Sequence, residues 1–159
     1  MLIDAHAHVM PGSFPVVPSG CDPAAWPAMS AVAGEDARLL VSGRVRFTAR
    51  TVWFDAEQRL AASAASGVDA EVVSPFPPLL NYALPAGAGR DLARWVSEYI
   101  ASLCAAVPGR LYGLGTVPLQ DPDLAAGELA GIAGLRLAGV EIASNVAGVS
   151  LAEIGRAHV

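Results

Sequence analysis

Four short apolar segments separated by helical ones constrain this chain more than any other feature, because strand–helix–strand alternation is the pattern of a parallel sheet. The apolar segments are Leu2 to about Val9, Val68 to Ser74, Leu111 to Val117 and Gly139 to Ala143. A helix is expected from Asp55, an N-cap acid with Gln58 three residues on, to Gly67. A second is expected from Gly89 to Val107, where Leu92, Val96, Tyr99, Ile100, Leu103 and Val107 recur at spacings of three and four. Cys104 falls on that apolar face, and Arg94 and Glu98 are spaced to pair on the other side. Asp121-Pro122 reads as an N-cap followed by proline at N1, opening a third helix that ends at Gly134. Ser150 to Gly155 reads as the start of another. Between the first strand and the first helix lies a Pro-, Gly- and Ser-rich stretch, Met10 to Gly43. It is too long for an ordinary connection and is expected to serve function.

Four parallel strands with three crossover helices make half of an eight-stranded barrel, which needs ~250 residues, so the 159-residue chain reads as truncated. A small open sheet of the flavodoxin type would fit the length. Its glycine-rich phosphate loop is missing after the first strand, where histidines stand instead.

Composition narrows the function classes. With 53% hydrophobic and 16% charged residues, the chain is not a disordered polymer. All ten basic residues are Arg and the net charge is -5, so no basic stripe exists to neutralise a nucleic acid. The absence of Lys excludes a Schiff-base lysine, a phosphate-loop lysine and a carboxylated-lysine metal bridge within these residues. Mean hydropathy is high at +0.45. Pro, Gly or a charge nevertheless breaks every apolar run before the ~18 residues of a membrane span. The start, Met1-Leu2-Ile3-Asp4, carries an acid where a signal peptide carries basic residues. Cys21 and Cys104 stand apart without a CxxC, as in a reducing compartment. A cytoplasmic protein without a membrane or nucleic-acid partner is expected.

The chemistry concentrates in Asp4-x-His6-x-His8 on the first strand. Side chains there repeat every two residues, so all three are expected on one face. If that face is a barrel interior, two imidazoles meet at the C-terminal rim, where barrel enzymes place their chemistry. Imidazole suits zinc and related divalent ions, although a pair of strand histidines can also stand without metal. Catalytic zinc takes three protein ligands and a water, so two histidines do not complete a site. Asp4 could ligate or orient a ligand, and His158 is the one other histidine. Arg44, Arg46 and Arg50 offer forks that match a carboxylate, against the plainer reading of solvated loop residues. Glu141, between apolar neighbours, is a buried-carboxylate candidate or a structural hydrogen-bonding group. Asn81-Tyr82 is either pocket lining or a turn with a packed ring. Trp26, Trp53 and Trp95 read as packing residues and Cys21 as an idle loop thiol.

Several stretches together resemble a known family. They are Ile3-Asp4-Ala5-His6-Ala7-His8, then Arg59-Leu60 with Gly67-Val68-Asp69 and Val72-Val73-Ser74-Pro75. Next come Pro108-Gly109-Arg110-Leu111-Tyr112-Gly113 and Thr116-Val117-Pro118-Leu119-Gln120-Asp121-Pro122, and finally Gly139-Val140-Glu141-Ile142 with Ser144-Asn145-Val146 and Gly148. The start resembles the metal-dependent amidohydrolase superfamily. The whole resembles its family 2, in the aminocarboxymuconate-semialdehyde decarboxylase-like branch, from Leu2 to about Leu151.

The resemblance implies an α/β fold, a (β/α)8 TIM barrel of the metal-dependent hydrolase type, with only its first four βα units present. Residues 1–159 would be the N-terminal half of one barrel domain, with 10–54 a long active-site loop. It implies one divalent metal ion, usually Zn2+, with His6 and His8 as ligands and the remaining ligands beyond Val159; His158 could be a displaced one. It makes Arg46 the choice for holding a substrate carboxylate. Ser63-Ala64 departs from the Met-Asp usual in the family. The activity implied is decarboxylation of a small carboxylate, that is, a carbon–carbon lyase. An amidohydrolase cleaving an ester, lactone or amide, and a catalytically dead truncated fragment, stay open as alternatives. An incomplete barrel has exposed edges, so a homodimer is expected.

Overall fold

The computed structural model describes residues 1–153. In chain order the elements are β1 (Ile3–Val9), β2 (Ala28–Ala31), β3 (Ala37–Ser42), β4 (Val45–Arg50), α1 (Ala56–Ala65), β5 (Ala70–Pro75), α2 (Ala86–Ala106), β6 (Leu111–Gly115), α3 (Pro122–Gly134), β7 (Gly139–Val140), β8 (Asn145–Val146) and β9 (Val149–Ser150). The four expected strands form one parallel sheet in the order β1-β5-β6-β7, with α1, α2 and α3 in the crossovers. Each strand lies beside its predecessor and the order never reverses. A doubly wound open sheet has a reversal point where it binds its ligand, whereas an arc of a barrel has none. The α/β, barrel-type reading therefore holds and the flavodoxin-type alternative does not.

The expected helix signals operate as read. Asp55 Oδ1 accepts from the Gln58 N–H at 2.9 Å, and Asp121 Oδ1 accepts from the Leu124 N–H at 3.0 Å. Each satisfies an orphan donor of its helix's first turn. The long helix begins at Ala86, a turn earlier than Gly89, because Pro85 stands at the N-cap and its carbonyl receives the Gly89 N–H. Its apolar stripe, Leu92, Val96, Ile100 and Leu103, packs on the sheet with Val73 and Leu111. Gly113 and Gly115 make that approach possible. A Cβ on Gly113 would stand 2.6 Å from Leu137 and 2.7 Å from Ile100, and one on Gly115 would stand 2.5 Å from Ile132. Along β6 the residues 111, 113 and 115 are buried beneath the helices, while Tyr112, on the opposite face, is 49% exposed.

Several expectations need correcting. Arg94 does not pair with Glu98; it forks onto Glu128 of α3, at 2.6 and 2.7 Å, because the neighbouring helix offers both carboxylate oxygens in the guanidinium plane. The Met10–Gly43 stretch is not irregular throughout: β2, β3 and β4 make an antiparallel meander. Its β3–β4 turn is the two-residue Gly43-Arg44 connection, with Gly43 at φ 57°, as a tight hairpin requires. Cys21 is buried, so it is a packing residue. Trp26 and Trp53 pack as expected, but Trp95 is 37% exposed and donates its indole N–H to the Ser13 carbonyl at 3.1 Å. The fourth strand is shorter than read, and the β8–β9 hairpin follows it. Of the helix expected from Ser150 to Gly155, residues 150–153 are described and form the end of β9 and a turn, not a helix. The remainder of it, and His158, lie outside the described residues.

Candidate active site

The site is built at the C-terminal end of β1, and a bulge there decides which side chains meet. Asp4 pairs with Glu71 of β5 but Ala7 pairs with Val73, so β1 spends one more residue than its partner over this step. The extra residue reverses the alternation. Asp4 accordingly sits on the α1 side of the sheet, lining a cleft with Arg59, Ser63 and Glu71. His8 pairs with Ser74 on the opposite, inner face. The expectation that Asp4 shares a face with both histidines is therefore overturned. Asp4 instead holds backbone, its Oδ1 accepting the His6 N–H at 3.1 Å inside the bulge.

His6, within the bulge, and His8, just past it, nevertheless meet. The rings of His6 and His8 lie edge to face with centroids 4.6 Å apart. His6 is exposed and His8 half-buried. Ser74 Oγ stands 3.2 Å from His8 Nδ1. Glu141 Oε2 lies 3.8 Å from the same nitrogen and is buried without a hydrogen-bond partner among the described residues. On a flat sheet three inter-strand steps of about 4.8 Å would separate β1 from the end of β7. The 3.8 Å approach thus measures how far the sheet curls and how far both side chains reach across its inner face.

A buried network fixes the backbone beneath this face. Arg59 of α1 meets Glu71 Oε2 through Nε and Nη2, both at 2.6 Å, and its Nη1 donates to the His8 carbonyl at 3.1 Å. Ser63 donates to Glu71. One ion pair therefore ties α1, β5 and the histidine segment together. The loop after β5 returns across the end of the sheet: the Tyr82 hydroxyl accepts the Ala143 N–H at 3.4 Å. Burial, with a smaller contribution from the nearby Glu141 charge, pushes the Tyr82 phenol above its ordinary value, so it stays neutral.

The meander stands beside this end of the sheet. Phe47 of β4 packs on Trp53 and on Phe76, which directly follows β5. By strand alternation Arg44, Arg46 and Arg50 occupy the other side of the ribbon, where all three are exposed. None of them makes an ion pair or hydrogen bond through its side chain with another described residue. No group of three or more His, Cys, Asp or Glu side chains converges as a metal cage among the described residues. The structure thus brings His6, His8, Ser74 and Glu141 together and leaves Asp4 and the arginines outside that cluster. Ser74 was missed as a site residue; its register opposite His8 is invisible until the bulge is known. No helix among the described residues is long and apolar enough to cross a membrane.

A parallel sheet that winds in one direction, with paired histidines at the C-terminal end of its first strand, is an amidohydrolase-type architecture. Comparison with known proteins finds likenesses of the same kind. It is 27% identical over 150 residues to a 2-amino-3-carboxymuconate-6-semialdehyde decarboxylase of Dictyostelium discoideum, a match covering 94% of this chain and 42% of that protein. Its fold superposes on IDCase of Metarhizium anisopliae with a TM-score of 0.69 at 19% identity, covering 94% of this chain and 44% of that one. A 5-carboxyvanillate decarboxylase of Novosphingobium aromaticivorans, solved with manganese and 4-hydroxy-3-methoxy-5-nitrobenzoic acid, matches with a TM-score of 0.57 at 30% identity, over 62% of this chain and 28% of that one. No family model matches. The resemblance read from the sequence is borne out: the chain is similar to proteins of the aminocarboxymuconate-semialdehyde decarboxylase-like branch. It spans less than half the length of these relatives.

Proposed function

We propose that this chain is the N-terminal half of a metal-dependent decarboxylase domain acting on a small carboxylate, with His6 and His8 as two of the ligands of one divalent ion. The observation that carries the reading is the adjacency of the two imidazoles, 4.6 Å between centroids, on the inner face of a barrel-type sheet. Imidazole nitrogen suits both zinc and manganese. Zinc is the preferred ion and manganese, found with the Novosphingobium enzyme, its competitor. A divalent ion bound there supplies Lewis acidity. The remaining ligands belong to the portion of the relatives' length that this chain does not span.

This chain's own residues do the rest of what is proposed. The Arg59 bond to the His8 carbonyl and the Asp4 bond to the His6 amide hold the two ligands in place before any ion arrives. Arg46 is proposed to pair with the substrate carboxylate. Its guanidinium is exposed and unspent on other described side chains, on a ribbon anchored through Phe47 beside the end of β5. A cytoplasmic location is supported by two free thiols, Cys21 and Cys104.

The test is carbon dioxide release from 2-amino-3-carboxymuconate-6-semialdehyde and from 5-carboxyvanillate, by the whole domain of which this chain is proposed to be the N-terminal half, prepared with zinc or manganese. Release that vanishes in His6→Ala and His8→Ala, with KM raised in Arg46→Ala, is the expected result. Hydrolysis of a lactone or amide without carbon dioxide release would replace the decarboxylase reading by the amidohydrolase one.

A further inference from the structure

The geometry points to Glu141 as a positioning residue that, together with Ser74, fixes the His8 ring in the tautomer protonated at Nδ1. Its purpose rests on the metal reading of His8, but the ring state itself does not.

Both groups around Nδ1 have lone pairs to offer its proton. The Ser74 hydroxyl has the Ala7 carbonyl, at 3.4 Å, as an acceptor for its own hydrogen and stands 3.2 Å from His8 Nδ1, so it can accept from the ring. Glu141 Oε2, at 3.8 Å from Nδ1, is too far for a hydrogen bond of its own, but a carboxylate has no proton to offer and attracts one on the ring. That oxygen is buried and has no hydrogen-bond partner among the described residues, so it does not spend its charge elsewhere. The Glu141 backbone is fixed by its N–H bond to the Gly115 carbonyl at 2.8 Å, which sets where the side chain starts its reach. A histidine left to itself favours the form protonated at Nε2. With the proton held at Nδ1, Nε2 keeps its lone pair. The second ring nitrogen of a metal-ligating histidine is commonly held by a carboxylate, which fixes the tautomer and raises ligand basicity. Glu141 would thus act from the far end of the sheet on a ligand of its first strand.

The experiment is a long-range proton–nitrogen correlation spectrum of the full chain labelled at histidine, metal-free and at mildly alkaline pH, with the His8 ring assigned by loss of its signals in His8→Gln. The expected wild-type pattern is a proton on Nδ1. Glu141→Ala should move His8 toward the Nε2-protonated form, and Glu141→Gln, whose amide oxygen still accepts, should restore Nδ1. A wild-type His8 protonated at Nε2 overturns the inference with no variant needed. A pattern unchanged in a Glu141→Ala chain that keeps its backbone amide spectrum also overturns it. Zinc titration of the same samples separates the two levels. Affinity reduced about 10- to 100-fold by Glu141→Ala supports the role toward the metal. A wild-type chain that takes up no zinc, yet keeps the Nδ1 proton, refutes the metal-site reading and leaves the ring assignment standing.

Discussion

The buried Arg59–Glu71 pair sets the position of the site more directly than any residue facing the cavity. Its members are 9% and 5% exposed, and Arg59 carries the ion pair and the bond to the His8 carbonyl on one guanidinium. Removing one partner of a buried pair strands the other charge in a poorly solvated place, which costs about 3–5 kcal/mol. Glu71→Ala is therefore expected to reduce the unfolding free energy from a urea titration by that amount while leaving the m-value unchanged. Glu71→Gln, which keeps an acceptor for Arg59, should lose less. A loss under about 1 kcal/mol, the ordinary effect of a surface substitution, would mean that water reaches the pair. At the same scale, Asp4→Ala removes the acceptor that holds the His6 amide in the bulge, and Asp4→Asn retains it. If His6 is a ligand, zinc affinity measured by calorimetry should fall in the first variant and hold in the second. Asp4 as a metal ligand predicts the opposite for Asp4→Asn: a loss close to that of the alanine.

At the scale of elements, the strands that carry the site were legible because their apolar runs are bounded by caps and breakers that act locally. Asp55 and Asp121 make the bonds their spacing implies, so Asp121→Ala should cost about 1 kcal/mol of stability by thermal melting. What the sequence could not disclose depends on partners distant along the chain. The bulge in β1 exists only relative to β5, and without it the period-two rule puts Asp4 on the wrong face. The choice of Glu128 over Glu98 by Arg94 needs the packing of α3 on α2. The meander, in contrast, had a readable signal. Val45, Phe47 and Ala49 alternate with Arg46, Thr48 and Arg50 directly after a Gly43-Arg44 turn, but the glycine- and proline-rich flank masked it. Gly113 and Gly115 also read as weak strand residues until the helices are packed over them. Gly115→Val would drive a branched side chain against Ile132, where a Cβ alone stands 2.5 Å away. Overpacking of this kind costs about 1–3 kcal/mol, and a stability unchanged in a denaturant titration would show that α3 can slide.

At the scale of the whole molecule, the parallel sheet has two free edges. Among the described residues β1 pairs with β5 alone and β7 with β6 alone, so each leaves a row of backbone donors and acceptors unpaired. Leu2 and Ile3 at the β1 edge are 56% and 43% exposed, and Tyr112 on the inner face is 49% exposed. Such an edge is a template for another strand, and proteins usually guard it with Lys, Pro or an inward charge. This chain has no Lys, and 16% charged residues leave little to keep apolar patches apart. Edge pairing between two copies would cover both liabilities at once, so the 159-residue chain is expected to sediment as a dimer or larger species whose size grows with concentration. Ile3→Lys places a charge on the β1 edge and should shift that equilibrium toward monomer. The effect should weaken at high salt, because the repulsion it introduces is exposed and screened. A compact, concentration-independent monomer of 16.3 kDa would mean that the edges are closed in solution, and the half-barrel reading would fall with that result.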